Sequence, residues 1–189
     1  ISVKGEPENP VKNMKFKGLS FQYSSYMIPS EGEEPAQAAA NTEAAMQFDF
    51  AENIILEDCE MLHTGAYGIS FGRECHQNRI EHCYIADLGA GGIKIGEPYL
   101  RATTRKVTSG NVIDNNIVTD AGHEQPCGVG VALFHTRDNQ VTHNDIFDIL
   151  YSGVSVGWVW GYNEDSASPI SVLNEKGESE TEMMKQHSP

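Results

Sequence analysis

Basic residues are scarce in this sequence. Its 13 lysines and arginines face 27 aspartates and glutamates, which gives a formal net charge of −14. Nucleic acids and anionic membranes attract basic surfaces, so this balance argues against both as partners. No apolar run approaches the about 20 residues that cross a bilayer. We therefore predict no nucleic-acid partner and no membrane partner.

Leader and catalytic signatures are also lacking. No signal peptide is visible. The chain opens on Ile1 and enters a repeat pattern at once, so we expect a cut N-terminus. No Ser-His-Asp series, phosphate-binding loop or H-E-x-x-H motif is present. The four cysteines have no C-x-x-C spacing, which predicts free thiols, no metal site and no cofactor.

The sequence does contain a repeat. A small residue precedes a short strand with two apolar residues around a central one, at steps of 23, 24, 36 and 25 residues. The five copies are Ala45-Met46-Gln47-Phe48, Gly68-Ile69-Ser70-Phe71, Gly92-Ile93-Lys94-Ile95, Gly128-Val129-Gly130-Val131 and Gly153-Val154-Ser155-Val156. A second series has apolar pairs five residues apart, namely Phe16 and Phe21, Leu56 and Met61, Ile80 and Ile85, Ile113 and Val118, Val141 and Ile146. Two series locked to one period are typical of a repeat solenoid.

The period decides the fold class. A unit of this length is too short for a helix pair, and its apolar residues alternate, so each unit consists of strands separated by Gly, Asn and Asp turns. We predict an all-β, right-handed parallel β-helix of five to six rungs over residues 1–162. Residues 27–44 and 97–109 interrupt the period and are predicted to be loops on one face. The polar segment 163–189 is predicted to be a disordered tail. The predicted strands of one sheet are 46–48, 69–71, 93–95, 129–131 and 154–156.

Two further positions recur in successive rungs. The first contains Leu19, Cys59, Cys83, Asn116 and Asn144, and we interpret it as a turn with an asparagine ladder in which the cysteines are buried filler. The second contains His63, Asp87, Asp120 and Asp148. It could be a Ca²⁺ site or an acid/base pair. We favour a structural role, in which these side chains bond to the backbone of their own turns without a metal.

A surface for a ligand is predicted beside the first strand series. The outward positions that follow it are Asp49, Gly72, Gly96, Ala132 and Gly157, so small residues would leave a shallow groove. Bulkier groups come next, and aromatic faces with polar neighbours suit an extended sugar chain. The predicted substrate-binding residues are Lys94, Glu97, His135, Trp158 and Trp160. The two tryptophans could instead pack at the end of the solenoid.

Several runs resemble a known group of right-handed β-helix glycoside hydrolases of the pectin-lyase-like superfamily, a group with α-L-fucosidase and xylanase activities. The runs are Asn9–Asn13, His63–Ile69, Asp87–Glu97 and Tyr151–Tyr162. The resemblance covers residues 5–162 and implies a secreted or periplasmic protein. The carboxylates proposed as catalytic in that group lie beyond this stretch, so the catalytic residues are unknown.

The resemblance implies a fragment of a carbohydrate-active protein that acts on plant or algal polysaccharide, with a polysaccharide or oligosaccharide as partner. On the predicted groove, Glu97 and Asp49 are the candidate catalytic carboxylates, and the rungs that carry them are two apart. A glycosidase needs a closely spaced pair. The alternatives are a non-catalytic β-helix that binds glycans or a cell surface, and a truncated gene product without activity.

Overall fold

The computed structural model describes residues 1–101 and 107–157, together with the strands Pro169–Leu173 and Ser179–Met183. One short 3₁₀ helix, Gln37–Ala39, accompanies the strands in this part of the chain. No helix of the described residues is long and apolar enough to cross a membrane. The strands in chain order are β1 Ser2–Lys4, β2 Val11–Lys12, β3 Lys15–Lys17, β4 Ser20–Gln22, β5 Ala44–Asp49, β6 Ala51–Glu52, β7 Ile55–Glu57, β8 Glu60–Thr64, β9 Tyr67–Phe71, β10 Arg79–Glu81, β11 Tyr84–Leu88, β12 Ile93–Ile95, β13 Leu100–Arg101, β14 Val112–Asp114, β15 Ile117–Ala121, β16 Val131–Leu133, β17 Gln140–Thr142, β18 Asp145–Ile149, β19 Val154–Val156, β20 Pro169–Leu173 and β21 Ser179–Met183.

Three parallel sheets surround one core. Sheet I has the order β1-β5-β9-β12-β16-β19, sheet II has β17-β14-β10-β7-β3, and sheet III has β18-β15-β11-β8-β4. In each rung the chain passes from sheet II to sheet III and then to sheet I, and every neighbouring pair within these sheets is parallel. This confirms the predicted right-handed parallel β-helix.

The core is a set of apolar stacks. Leu56, Ile80 and Ile113 occupy one register position of sheet II, and all three are buried. In sheet I the rings of Phe48 and Phe71 stack with centroids 4.8 Å apart. Because inward positions repeat in every rung, each side chain covers the one below it and the stack excludes water. The second apolar series is confirmed in full by the observed register.

The fourth of the predicted sheet I segments has a different register in the structure. Ile93 pairs with Val131, so the strand is β16 and the predicted segment 129–131 lies two residues too early. The step into this rung is therefore 38 residues and the step out of it is 23, counted from Ile93 to Val131 and from Val131 to Val154. A slip of two residues keeps the same side chains inward, because the side-chain period of a strand is two.

Each rung bends at three corners, and at each corner a residue with a left-handed backbone recurs from rung to rung. These residues have φ between 52° and 69°. Asn, Asp, His and Gly tolerate this conformation better than other residues, which explains their frequency there. Corner I–II contains Asn13, Asn53, Gln77, Gly110 and Asp138; corner II–III contains Gly18, Asp58, His82, Asn115 and His143; corner III–I contains Tyr23, His63, Asp87, Asp120 and Asp148.

Asparagine ladders brace two of the corners. The Asn116 side chain accepts a hydrogen bond from the Cys83 N–H (2.9 Å) and donates to Asn144 Oδ1 (2.9 Å). The predicted ladder is thus confirmed. Burial raises the pKa of Cys83 to about 12, in keeping with an inert filler.

A second ladder, at corner I–II, escaped the sequence analysis. Asn78 Nδ2 donates to Asn111 Oδ1 (2.9 Å), and Asn111 Nδ2 donates to Asn139 Oδ1 (3.0 Å). Its signal was an asparagine two residues before an inward apolar residue of sheet II, in three successive rungs.

Part of the tail for which disorder was predicted lies in two strands, and residues 163–168, 174–178 and 184–189 lie outside the described residues. Strands β20 and β21 pair antiparallel, and β20 also pairs with β13 inside the insertion 97–109. The alternating segment Pro169-Ile170-Ser171-Val172-Leu173 has the β-branched residues that favour a strand. The insertion 97–109 thus contains a strand, β13, whereas the insertion 27–44 covers sheet I.

Candidate functional site

The insertion 27–44 covers the outer face of sheet I. Ala38, Ala39 and Ala40 are buried by this contact. The Tyr67 hydroxyl donates to Ala38 O (2.6 Å) and accepts from the Val129 N–H (3.0 Å). Small alanine side chains allow the backbone of the insertion to approach the sheet closely.

Lys94 lies underneath this cover. Its side chain is 7% exposed, and Nζ donates to the carbonyl oxygens of Ala40 (3.3 Å) and Thr42. The amine also sits 4.8 Å from the centroid of the Tyr67 ring. Burial lowers the pKa of Lys94 to about 8, and the charge of Glu43 opposes that shift. The expectation that Lys94 points into an open groove is therefore wrong: its amine holds the insertion.

The row of small residues is not a continuous groove. With the corrected register, Ala132 pairs with Lys94. Two residues further on, Phe134 is aligned with Gly96 of the preceding rung. Phe134 is 5% exposed and packs with Ala38, Ala40 and Ala132 beneath the insertion. The groove predicted along Gly72, Gly96 and Ala132 is thus filled in the middle rungs, because an aromatic side chain and the insertion occupy it.

Corner I–II brings together two of the predicted binding residues. Glu97 and His135 stand on adjacent rungs, and the His135 N–H donates to Glu97 O (3.2 Å). Burial lowers the pKa of His135, and the negative charge of Glu97 opposes the shift. Arg73 occupies the equivalent position one rung before Glu97. Trp158 and Trp160 lie outside the described residues.

Arg73 is held in an unusual environment. Its guanidinium lies 4.9 Å from the centroid of the Phe50 ring, and its backbone N–H donates to Asp49 Oδ1 (2.9 Å). Nε is 3.7 Å from Glu74 Oε1, which is too long for a hydrogen bond. Within the described part of the chain, this buried Nε has no hydrogen-bond acceptor.

A cavity of about 400 Å³ opens at the same corner. Phe50 and Glu74, the two neighbours of Arg73, belong to its wall. A cavity of this size suits a small ligand or one or two sugar residues. The other lining residues are Pro7, Glu8, Pro10, Lys12, Glu52 and His76.

Corner III–I carries the ladder of His63, Asp87, Asp120 and Asp148. His63 Nδ1 hydrogen-bonds to Asp87 Oδ2, and the Tyr23 ring stacks on His63 with centroids 4.9 Å apart. The prediction that these side chains bond to backbone groups is wrong for Asp87 and Asp120, whose partners are imidazoles. The left-handed backbone shared by the column explains why Asp and His stand there.

His123 joins this corner and was missed from the sequence. Its Nε2 lies 3.1 Å from Asp120 Oδ1 and 3.5 Å from Asp87 Oδ1. The residue belongs to the loop that precedes β16, where the repeat period does not apply. A histidine three residues after a ladder aspartate was the available signal.

These features define a β-helix with polar corners, and the comparisons agree. The family described as "right handed beta helix region" matches residues 2–146, so the chain belongs to this family. Among solved structures, one described as a glycoside hydrolase aligns with a TM-score of 0.78 and 24% sequence identity. The alignment covers 83% of this chain and 33% of that structure, so the chain spans about a third of its length. At this identity the likeness concerns the fold. No curated protein matches the chain.

Proposed function

We propose that this chain binds a polysaccharide at corner I–II as part of a carbohydrate-active β-helix protein. The carrying observation is the cavity of about 400 Å³ at this corner, whose wall includes Phe50 and Glu74, the residues next to the Arg73 guanidinium. Glu97 and His135 continue the same column on the next two rungs. The similarity to a structure described as a glycoside hydrolase supports a sugar as the ligand.

The column offers the groups that sugar hydroxyls require. A guanidinium donates hydrogen bonds, a carboxylate accepts them, and a histidine does either. His135 is half-buried, and its lowered pKa favours the neutral imidazole, which keeps one donor and one acceptor for hydroxyl groups. Rungs lie about 4.8 Å apart, which is close to the length of one pyranose unit along an extended chain. From the sequence alone, Trp158 and Trp160 are proposed to stack on the sugar. Lys94 is not proposed to bind the sugar, because its amine is buried.

The proposed role is binding, with turnover left to other parts of a longer protein. Asp49 Oδ1 is engaged by the Arg73 N–H, and its rung is two away from that of Glu97. The pair therefore lacks the geometry of two carboxylates that face one glycosidic bond. A polysaccharide-binding or surface-binding β-helix and a subsite region of a hydrolase both use such a surface.

The test is calorimetric titration of the chain with xylan oligosaccharides and fucosylated oligosaccharides. We expect weak binding, because an open corner recovers little of the cost of ordering a flexible sugar. Glu97→Gln and Arg73→Gln should each weaken binding at least fivefold. Glu60→Gln, an exposed carboxylate of sheet III, is the matched control and should bind as the unmodified chain does.

Chemical-shift mapping of the bound oligosaccharide gives a second readout. Perturbed amides should cluster at Arg73, Glu97 and His135. Perturbations confined to sheet III, or affinity unchanged in both variants, would contradict the placement of the site. Binding of neither sugar class at millimolar concentration would contradict the proposed function itself.

A further inference from the structure

We propose that corner III–I binds a divalent transition-metal ion through Asp87, Asp120 and His123, with Zn²⁺ as the best-matched ion. This inference is independent of the sugar site, which lies at another corner. It departs from the expectation drawn from the sequence, in which no metal was assigned to the ladder and His123 played no part. One ligand atom from each of the three side chains lies within 4.8 Å of the others.

The distances suit a shared ion. A zinc–ligand length of about 2.1 Å places two tetrahedral ligands about 3.4 Å apart. The separations from His123 Nε2 to Asp120 Oδ1 and to Asp87 Oδ1 are 3.1 Å and 3.5 Å. An imidazole nitrogen carries at most one hydrogen, so Nε2 can donate to both carboxylates only through a single shared hydrogen. A cation between the three atoms satisfies all of them and cancels the repulsion of the stacked carboxylates.

The backbone fixes the three ligands before any ion arrives. Asp87 and Asp120 share the left-handed corner conformation, with φ of 54° and 53°. The N–H groups of Gly122 and His123 both donate to Leu88 O, at 2.9 Å and 3.2 Å. The loop that carries His123 is therefore tied to the residue that follows Asp87. A site held by main-chain hydrogen bonds loses little conformational entropy on binding.

Outer contacts orient one of the ligands. His63 hydrogen-bonds to Asp87 Oδ2, which leaves Oδ1 directed toward His123. Tyr23 stacks on the His63 ring and restricts its rotation. Carboxylate ligands of metal sites are commonly hydrogen-bonded in this way, and loss of such a contact costs 10–100-fold in affinity.

The ligand set selects the class of ion. Imidazole nitrogen suits Zn²⁺, Co²⁺ and Ni²⁺, whereas Ca²⁺ and Mg²⁺ prefer sites made of oxygen alone. Three protein ligands leave a fourth position for water or a substrate oxygen. The site is partly exposed, so such a position would be accessible from solvent.

The test is titration of the untagged chain with Zn²⁺ against a chromophoric chelator, with Co²⁺ absorption spectra as a report on coordination. We expect one ion per chain, and Ca²⁺ should bind at least 100-fold more weakly than Zn²⁺. His123→Ala and Asp120→Asn should each reduce Zn²⁺ affinity at least 50-fold, and His63→Ala should reduce it 10–100-fold.

His143→Ala is the matched control. His143 Nδ1 lies 2.8 Å from Asp114 Oδ1 at corner II–III, so it is an imidazole–carboxylate pair with a single carboxylate. Its loss should leave Zn²⁺ affinity and the Co²⁺ spectrum unchanged. Retention of the affinity in His123→Ala, equal affinity for Ca²⁺, or absence of stoichiometric binding would each overturn the proposal. Circular dichroism of each variant establishes that the fold is intact.

Discussion

Replacement of Lys94 by Met should change the pH dependence of stability in a defined way. The pKa of this buried amine falls from 10.5 to about 8 in the folded chain. One pKa unit is 1.36 kcal/mol, so the charged amine destabilises the fold by about 3 kcal/mol relative to the neutral one. Between the two pKa values the unfolded chain binds more protons than the folded chain. The free energy of unfolding contributed by Lys94 must therefore rise with pH in this window.

The expected magnitude is accessible to urea denaturation. From pH 7 to pH 9.5 the linkage relation gives about 2 kcal/mol of the total. The unfolding free energy of the unmodified chain should rise by this amount relative to that of Lys94→Met. Taking the difference between the two chains cancels the titration of all other groups. The value at a single pH decides nothing, because Met also removes the hydrogen bonds to Ala40 O and Thr42 O. The slope of the difference is the measured quantity.

Lys4 provides the control, since it is an exposed lysine of the same sheet. Lys4→Met should show a difference from the unmodified chain that is flat over the same pH range. If the difference for Lys94→Met is flat as well, the amine is solvated and the insertion does not cover sheet I. Limited proteolysis gives an independent check, because Lys94→Met should accelerate cleavage within residues 27–44.

Three further outcomes are expected. Gly130→Ala should lower the unfolding free energy by about 1–3 kcal/mol, because a Cβ there would lie 2.6 Å from Gly153 O. Gly153→Ala, one rung on, should cost less than about 0.5 kcal/mol, since its nearest contact would be at 3.5 Å; similar losses in the two variants would refute the register. Asn116→Ala should lower the unfolding free energy by about 1–3 kcal/mol for each buried group left unpaired. A urea midpoint equal to that of the unmodified chain would show that the ladder does not stabilise the corner. The purified chain should not hydrolyse aryl fucosides, aryl xylosides or xylan, and turnover that disappears in Glu97→Gln would locate an active centre at corner I–II.

The solenoid was predictable because burial acts on every rung in the same way. Inward positions such as Leu56, Ile80 and Ile113 must be apolar, so their spacing reveals the period. Alternation alone cannot place β16. Val129-Gly130-Val131 and Val131-Ala132-Leu133 both direct apolar residues to the same face. The choice between them depends on the path of the preceding insertion, which local pattern does not encode.

The candidate sites were less predictable for a related reason. A lysine at an outward strand position, such as Lys94, indicates a solvated face unless the path of residues 27–44 is known. His123 lies in a loop outside the repeat, so it has no equivalent residue in other rungs that would mark it in the sequence. Arg73 and Glu97 could be aligned from the sequence, because each follows its sheet I strand by two residues, whereas His135 joins this position only with the corrected register of β16. The positions of residues in loops outside the repeat cannot be predicted from the period.

The path of the insertion has a consequence for how the chain unfolds. In a simple stack each rung contacts its neighbours, so unfolding can proceed from an end one rung at a time. Here a segment that leaves the first rung reaches Tyr67, Lys94, Phe134 and, through the Gln37 side chain, the Tyr151 hydroxyl (2.8 Å). Opening the first rung therefore uncovers sheet I as far as the last one. Fraying from the N-terminal end is coupled to the whole array, and these five rungs should melt in a single cooperative transition.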